Sequence, residues 1–152
     1  MKAFGFASKA VVTPLVLKCG WALLDMRQDS RLVRLIQDTF LELGQTTTKP
    51  SEEFLTLYNL QARGLMNLGR NKDTVALLEQ VAKIKETTLP ETHPSRLASQ
   101  HALAGAYQAN GQVVEAVPLL EQVVKIKRLK LPTSHPSRVV SENTLSYCLQ
   151  LL

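Results

Sequence analysis

The residues LLEQVAKIKETTLPETHPSR at 77–96 return at 119–138 as LLEQVVKIKRLKLPTSHPSR, with 14 of 20 positions identical and a spacing of 42 residues. Chance does not give such a match. A fixed period of about 20–50 residues means stacked supersecondary units, each unable to bury its apolar face without a neighbour. The chain is therefore constrained to an array, and the remaining question is what one unit contains.

After HPSR comes LASQHALAGAYQANG, where Leu97, Leu103, Ala104 and Tyr107 mark one helical face ahead of Gly111. Glycine takes a left-handed helix cap at no steric cost, so a helix ends there. QVVEAVPLLEQVVKIKRLK then sets Val113, Ala116, Val117, Leu120, Val123, Val124 and Ile126 at helical spacing, which predicts a second amphipathic helix. Pro118 is placed about one turn into it, where a missing N–H costs little. Each unit is thus helix, glycine turn, helix, connector. With only seven glycines and seven prolines in 152 residues, the composition also favours helix over a turn-rich sandwich or barrel.

The same offset extends both ways. Ala104 corresponds to Ala62, Gly20 and Ser146, a small residue each time, and three residues later stand Leu23, Leu65, Tyr107 and Leu149. Leu120 maps to Leu78 and Ile36. Residues 13–152 are read as the array, in units of about 13–48, 49–90 and 91–132 and a partial unit 133–152, with 1–12 as a tail or partial helix. Some slots depart from the pattern: Thr74 and Leu32 stand where Ala116 does, and Gln61 stands where Leu103 does.

The succession Leu103, Ala104, Tyr107, Gly111, Ala116, Leu120, Val123 resembles the signature of the tetratricopeptide repeat. The 42-residue period and the LPETHPSR connector resemble the kinesin-light-chain type of that repeat. The resemblance implies an all-α fold, a right-handed α-α superhelix of about three helical pairs plus a terminal helix. It also implies a non-catalytic protein–protein interaction scaffold whose first helices line a concave groove. Carried onto this sequence, the inward slots are Asn59, Arg63, Asn67, His101, Gln108, Asn143 and Tyr147, with Trp21 as a further position that a lone Trp on an apolar helix would more ordinarily bury in the core. Arginine and asparagine on adjacent turns suit a peptide backbone and an acidic side chain, so the expected partner is a protein or peptide, acidic in character.

The repeated His-Pro-Ser-Arg invites a catalytic reading, which fails on its surroundings. Glu86 and Glu91, near the first copy, have Arg128 and Thr133 as counterparts in the second, so two active sites would differ in their third member. No second ligand stands three or four residues from His93 or His135, so no metal is expected there, and no cofactor is implied anywhere. Proline is well placed at the first helical position, which puts His93 and His135 at the N-cap with the imidazole accepting from first-turn N–H groups.

A formal charge of +5 leaves a second reading open: weak nucleic-acid or anionic-surface binding through Lys83, Lys85, Lys125, Lys127, Arg128 and Lys130. No aromatic residues interleave with KIKRLK at 125–130, so base stacking is not supported and the run reads as a solvated helix end with Ile126 and Leu129 on its buried side. Cys19 and Cys148 lack any CxxC pattern and read as reduced, buried thiols of a cytoplasmic protein. No stretch approaches the roughly 20 apolar residues of a membrane span. Leu145, Leu149, Leu151 and Leu152 give the last helix an apolar face, which raises the expectation of self-association or of a longer array.

Overall fold

A computed structural model describes residues 6–43 and 52–152, with side chains over 14–39 and 55–152. Among the described residues there are seven helices and no strand: α1 (Phe6–Asp25), α2 (Asp29–Leu43), α3 (Glu52–Asn67), α4 (Asn71–Thr88), α5 (Pro94–Ala109), α6 (Val113–Lys130) and α7 (Pro136–Gln150). The all-α class expected from the repeat is what the chain adopts. The structure divides into two compact units, Met1–Thr74 and Val75–Leu152.

Tight turns punctuate the pairs at the 42-residue interval. Arg27, Gly69 and Gly111 each have a left-handed backbone, with φ of 56°, 74° and 81°. After each, an N–H reaches back five residues: Gln28 to the Leu23 carbonyl at 2.8 Å, Arg70 to Leu65 at 2.9 Å, Gln112 to Tyr107 at 2.7 Å. These are Schellman closures, which satisfy carbonyls that a helix end would otherwise leave open. Glycine suits that conformation, whereas Arg27 adopts it at a steric cost of about 1–2 kcal/mol.

In the first unit the core gathers Val16 and Leu24 of α1, Leu32 and Ile36 of α2, and Leu57 and Leu60 of α3. Leu32 occupies a slot that is Ala116 two repeats on, and the facing helices are cleared to admit it. A Cβ on Gly20 of α1 would stand 3.2 Å from Leu32 Cδ1 and 2.5 Å from Leu60 Cδ2, and one on Gly64 of α3 would stand 3.2 Å from Leu32 Cδ2. The second unit is arranged differently. Ala116 packs with Ala104 of α5, Leu120 of α6 and Cys148 of α7, while Leu97, Val123 and Ile126 form a neighbouring cluster. In the first unit a large residue thus faces two glycines, and in the second a small one faces the small Ala104 and Cys148.

The connectors of the second unit repeat two contacts, a histidine cap and an arginine clamp. His93 and His135 are N-caps, and each accepts a first-turn N–H at Nδ1, from Ser95 at 3.1 Å and from Ser137 at 3.2 Å, with the following proline opening the helix. Arg96 donates from Nη1 to the Leu89 carbonyl at 3.0 Å, and Arg138 does the same to Leu131 at 3.0 Å. The histidine caps expected from sequence are therefore present. The arginine clamps, which fold the connector back over the preceding helix end, explain the last letter of the motif.

Pro118 corrects one expectation. α6 begins at Val113, so Pro118 is its sixth residue and lies past the first turn. The bond it would have donated falls to the Val114 carbonyl, and Val114 and Pro118 both lie on the exposed side, where water can replace it.

Candidate functional site

The first helices present a recurring slot. Asn59 on α3, His101 on α5 and Asn143 on α7 stand 42 residues apart; Asn59 and His101 are half-buried and Asn143 is exposed. One turn on, the slot holds Arg63, Gly105 and Tyr147, with Arg63 and Tyr147 exposed. Gln108 is half-buried. None of these side chains is required by the apolar clusters described above. Their partners differ between the two units.

In the first unit the Arg63 guanidinium lies over the Trp21 ring, 5.5 Å from its centroid. Trp21 is 42% exposed, so this tryptophan is a surface platform for a cation and not a core residue. Asn67, although exposed, donates from Nδ2 to Asp29 Oδ1 at 2.9 Å. Asp29 is the buried first residue of α2, so Asn67 ties α3 to the start of α2 and its amide is already employed in the fold. Of the three residues expected in this unit, Asn59 and Arg63 remain as ligand candidates and Asn67 is largely structural.

In the second unit His101 belongs to a chain of three. Lys127 Nζ donates to Ser141 Oγ at 2.8 Å and to the Ser137 carbonyl at 3.2 Å. Ser141 Oγ lies 3.2 Å from His101 Nδ1. Because an ammonium can only donate, Ser141 accepts from Lys127; its hydroxyl proton and second lone pair are left for His101 Nδ1, and the direction of that bond follows the imidazole tautomer. Burial, reinforced by the Lys127 charge, holds the His101 pKa below 6.5, and burial lowers that of Lys127. The network joins α5, α6 and α7. Its sequence signal was present: Lys85 and Lys127 recur at the repeat interval, as do Ser99 and Ser141. In the preceding connector Lys85 Nζ donates to Ser95 Oγ at 2.8 Å.

Two of the six basic residues named for anionic-surface binding are withdrawn from solvent. Lys85 and Lys127 are 5% and 6% exposed, so neither can track a phosphate backbone. Arg128 is committed to Glu142 at 2.8 Å, and Arg138 joins the same carboxylate at 3.0 Å; the two hold the Glu142 pKa below its usual value. Leu129, expected on the buried side of that run, is instead exposed, and Lys127 takes the inward position. Both cysteines are free; Cys148 is buried as expected, while Cys19 is exposed.

Tyr107 shows how the core edge is finished. Its hydroxyl donates to Glu79 Oε1 at 2.7 Å, and burial together with that bond pushes its pKa up to about 12. Among the described residues, no three His, Cys, Asp or Glu side chains come together as a metal site would need, and no helix is long and apolar enough to cross a membrane.

Paired helices repeating at 42 residues, with polar slots on the first helix of each pair, define a helical-repeat protein that presents surfaces for recognition. A family model of the tetratricopeptide repeat matches residues 96–137. The crystal structure of a Podosopora anserina putative kinesin light chain, with nearly identical TPR-like repeats, is similar at 38% identity and a TM-score of 0.80 over 90% of this chain. The structure of a single-substitution variant of that protein matches equally, at 38% identity and 0.80 over 89% of this chain. The chain spans 65% and 64% of the lengths of those two structures. No curated protein matches. The repeats of this chain are tetratricopeptide repeats of the kinesin-light-chain-like type. That fold supports a general role as a protein–protein interaction scaffold, and repeats of this kind are typically non-catalytic.

Proposed function

We propose that the chain is a non-enzymatic scaffold that binds a peptide segment of a partner protein on the polar slots of its first helices. The observation that carries the reading is the slot shared in the second unit by His101 and Asn143, which offers a hydrogen-bonding side chain in two successive repeats, and which Asn59 fills in the first unit. Amide and imidazole groups there can pair with an extended peptide's backbone, whatever its sequence. Arg63 supplies an exposed cation in the first unit, and it favours an acidic residue in the ligand. Tyr147 offers a half-exposed aromatic surface in the second. The repeat limits of about 13–48, 49–90, 91–132 and 133–152 belong to the same proposal, as does a cytoplasmic setting, which the two free thiols support.

Trp21 is the chain's single tryptophan and lies under Arg63, so the site carries its own reporter. Acidic peptides that draw the guanidinium toward a carboxylate should alter Trp21 emission saturably, and Arg63→Ala should abolish the saturable change. Acidic peptides without any such effect, or an effect untouched by Arg63→Ala, would remove Arg63 from the ligand surface.

Exposed Leu149, Leu151 and Leu152 support self-association as a companion reading. Sedimentation should then show mass rising with concentration; a monomer throughout would dismiss it.

A further inference from the structure

Within the second unit, a cavity of about 270 Å³ opens where the start of α5 meets the end of α6 and the connector to α7. Leu97, Ala98 and Leu131 give it an apolar wall, while Lys127, Lys130, His135 and Ser137 line much of the rest; among the described residues no acidic side chain lines it. None of Asn59, His101 and Asn143 lines it, although Lys127 reaches His101 through Ser141.

Lys127 is the unusual member. It is almost wholly buried, yet among the described residues no carboxylate pairs with it. Its ammonium has three protons, of which the Ser137 carbonyl and Ser141 Oγ take two. A cation withdrawn from water without a counter-charge is costly, and an anion brought into the cavity would offset that cost. Its lowered pKa reflects the same deficit. Lys130 at the rim is exposed and free to swing toward an incoming charge.

We infer that this cavity is a binding site for a carboxylate carried on a compact apolar group, with Lys127 and Lys130 receiving the charge and Leu97, Ala98 and Leu131 the hydrocarbon. The volume is below the usual 300–1,000 Å³ of sites for drug-sized ligands, so it suits one residue-sized body. That chemistry occurs both in a free branched-chain acid and in the C-terminal residue of a peptide ending in leucine.

The test is an amide NMR titration of the full chain with 4-methylpentanoate, with its neutral amide 4-methylpentanamide as control, and with a short peptide ending in leucine, free or amidated. The expected result is saturable shifts at Thr92, Ala98, Leu131 and Ser137 with the carboxylates. Affinity should fall at least tenfold for the amides and for Lys130→Gln, whose exposed position spares the fold. Arg63→Ala should leave the binding unchanged, which separates this site from the first-helix slots. Tighter binding of the peptide than of the free acid would assign the site to chain ends, and the reverse order to free acids; either supports the inference. Absence of saturable shifts, equal affinity of acid and amide, or shifts mapping away from these residues would overturn it. His135→Asn, which keeps an N-cap but removes the imidazole from the wall, gives a second folded variant in which the carboxylate should bind more weakly.

Discussion

Ser141 Oγ lies 3.2 Å from His101 Nδ1 and takes the Lys127 ammonium at 2.8 Å, so one buried hydroxyl links the first helices of consecutive pairs to the helix between them. A slot that offers an amide at positions 59 and 143 is, at 101, partly drawn into the fold. This has a consequence for acid stability.

With its folded pKa held below 6.5, His101 stays neutral in the fold while the unfolded chain takes up a proton. Stability is therefore intact above the unfolded value and falls as pH drops from there through the folded value. Urea denaturation at pH 7 and pH 5 should show a larger loss for the native chain than for His101→Asn, which installs the side chain found at 59 and 143. Identical losses would show that the imidazole remains free to titrate.

The left-handed turns give a paired prediction. Arg27→Gly should raise stability by about 1 kcal/mol, since glycine adopts that backbone without the Cβ penalty. Gly111→Ala should lower it by about 1–2 kcal/mol; a Cβ there meets nothing within 4 Å, so the loss is conformational alone. Thermal melts of the two variants moving in the same direction would contradict the turn assignment.

Close packing in the first unit is tested at Gly20. An added Cβ would stand 2.5 Å from Cδ2 of the buried Leu60, which must shift within the core to admit it. Gly20→Ala should cost about 1–3 kcal/mol in chemical denaturation. By contrast Gly105, also helical, faces open space, and Gly105→Ala should be neutral or stabilising.

The caps are tested by His93→Ala and His135→Ala. Each should lose about 1 kcal/mol, and Asn at either position should restore most of it. Peptide binding at the first-helix slots should persist in the double alanine variant, because neither histidine belongs to those slots.

Much of this architecture was legible in the residues. The 42-residue interval located the helices, Gly111 marked a turn, and HPSR marked a capped start, because those features depend on local backbone chemistry. What escaped depends on neighbours distant in sequence. Lys127 looks like one more surface cation until α7 supplies Ser137 and Ser141 to receive it. Leu32 looks like a misfit in a small-residue slot until Gly20 and Gly64 are seen opposite it. Asn67 carries the same amide as Asn59, yet only the fold brings Asp29 within its reach. The candidate ligand surface is accordingly narrower than the sequence implied: the Asn67 amide is spent on Asp29 and His101 Nδ1 on Ser141, which leaves Asn59, Arg63, Gln108, Asn143, Tyr147 and the outer edge of the His101 ring.

The most direct test is affinity for a peptide selected from a random displayed library against the intact chain, titrated with the native protein and two double variants. Each selected peptide should be weakened by more than about fivefold, or ~1 kcal/mol, by Asn59→Ala with Arg63→Ala or by Asn143→Ala with Tyr147→Ala, with unchanged melting. Selected peptides that bind both variants as tightly as the native chain would contradict the claim that the first-helix slots are the ligand surface.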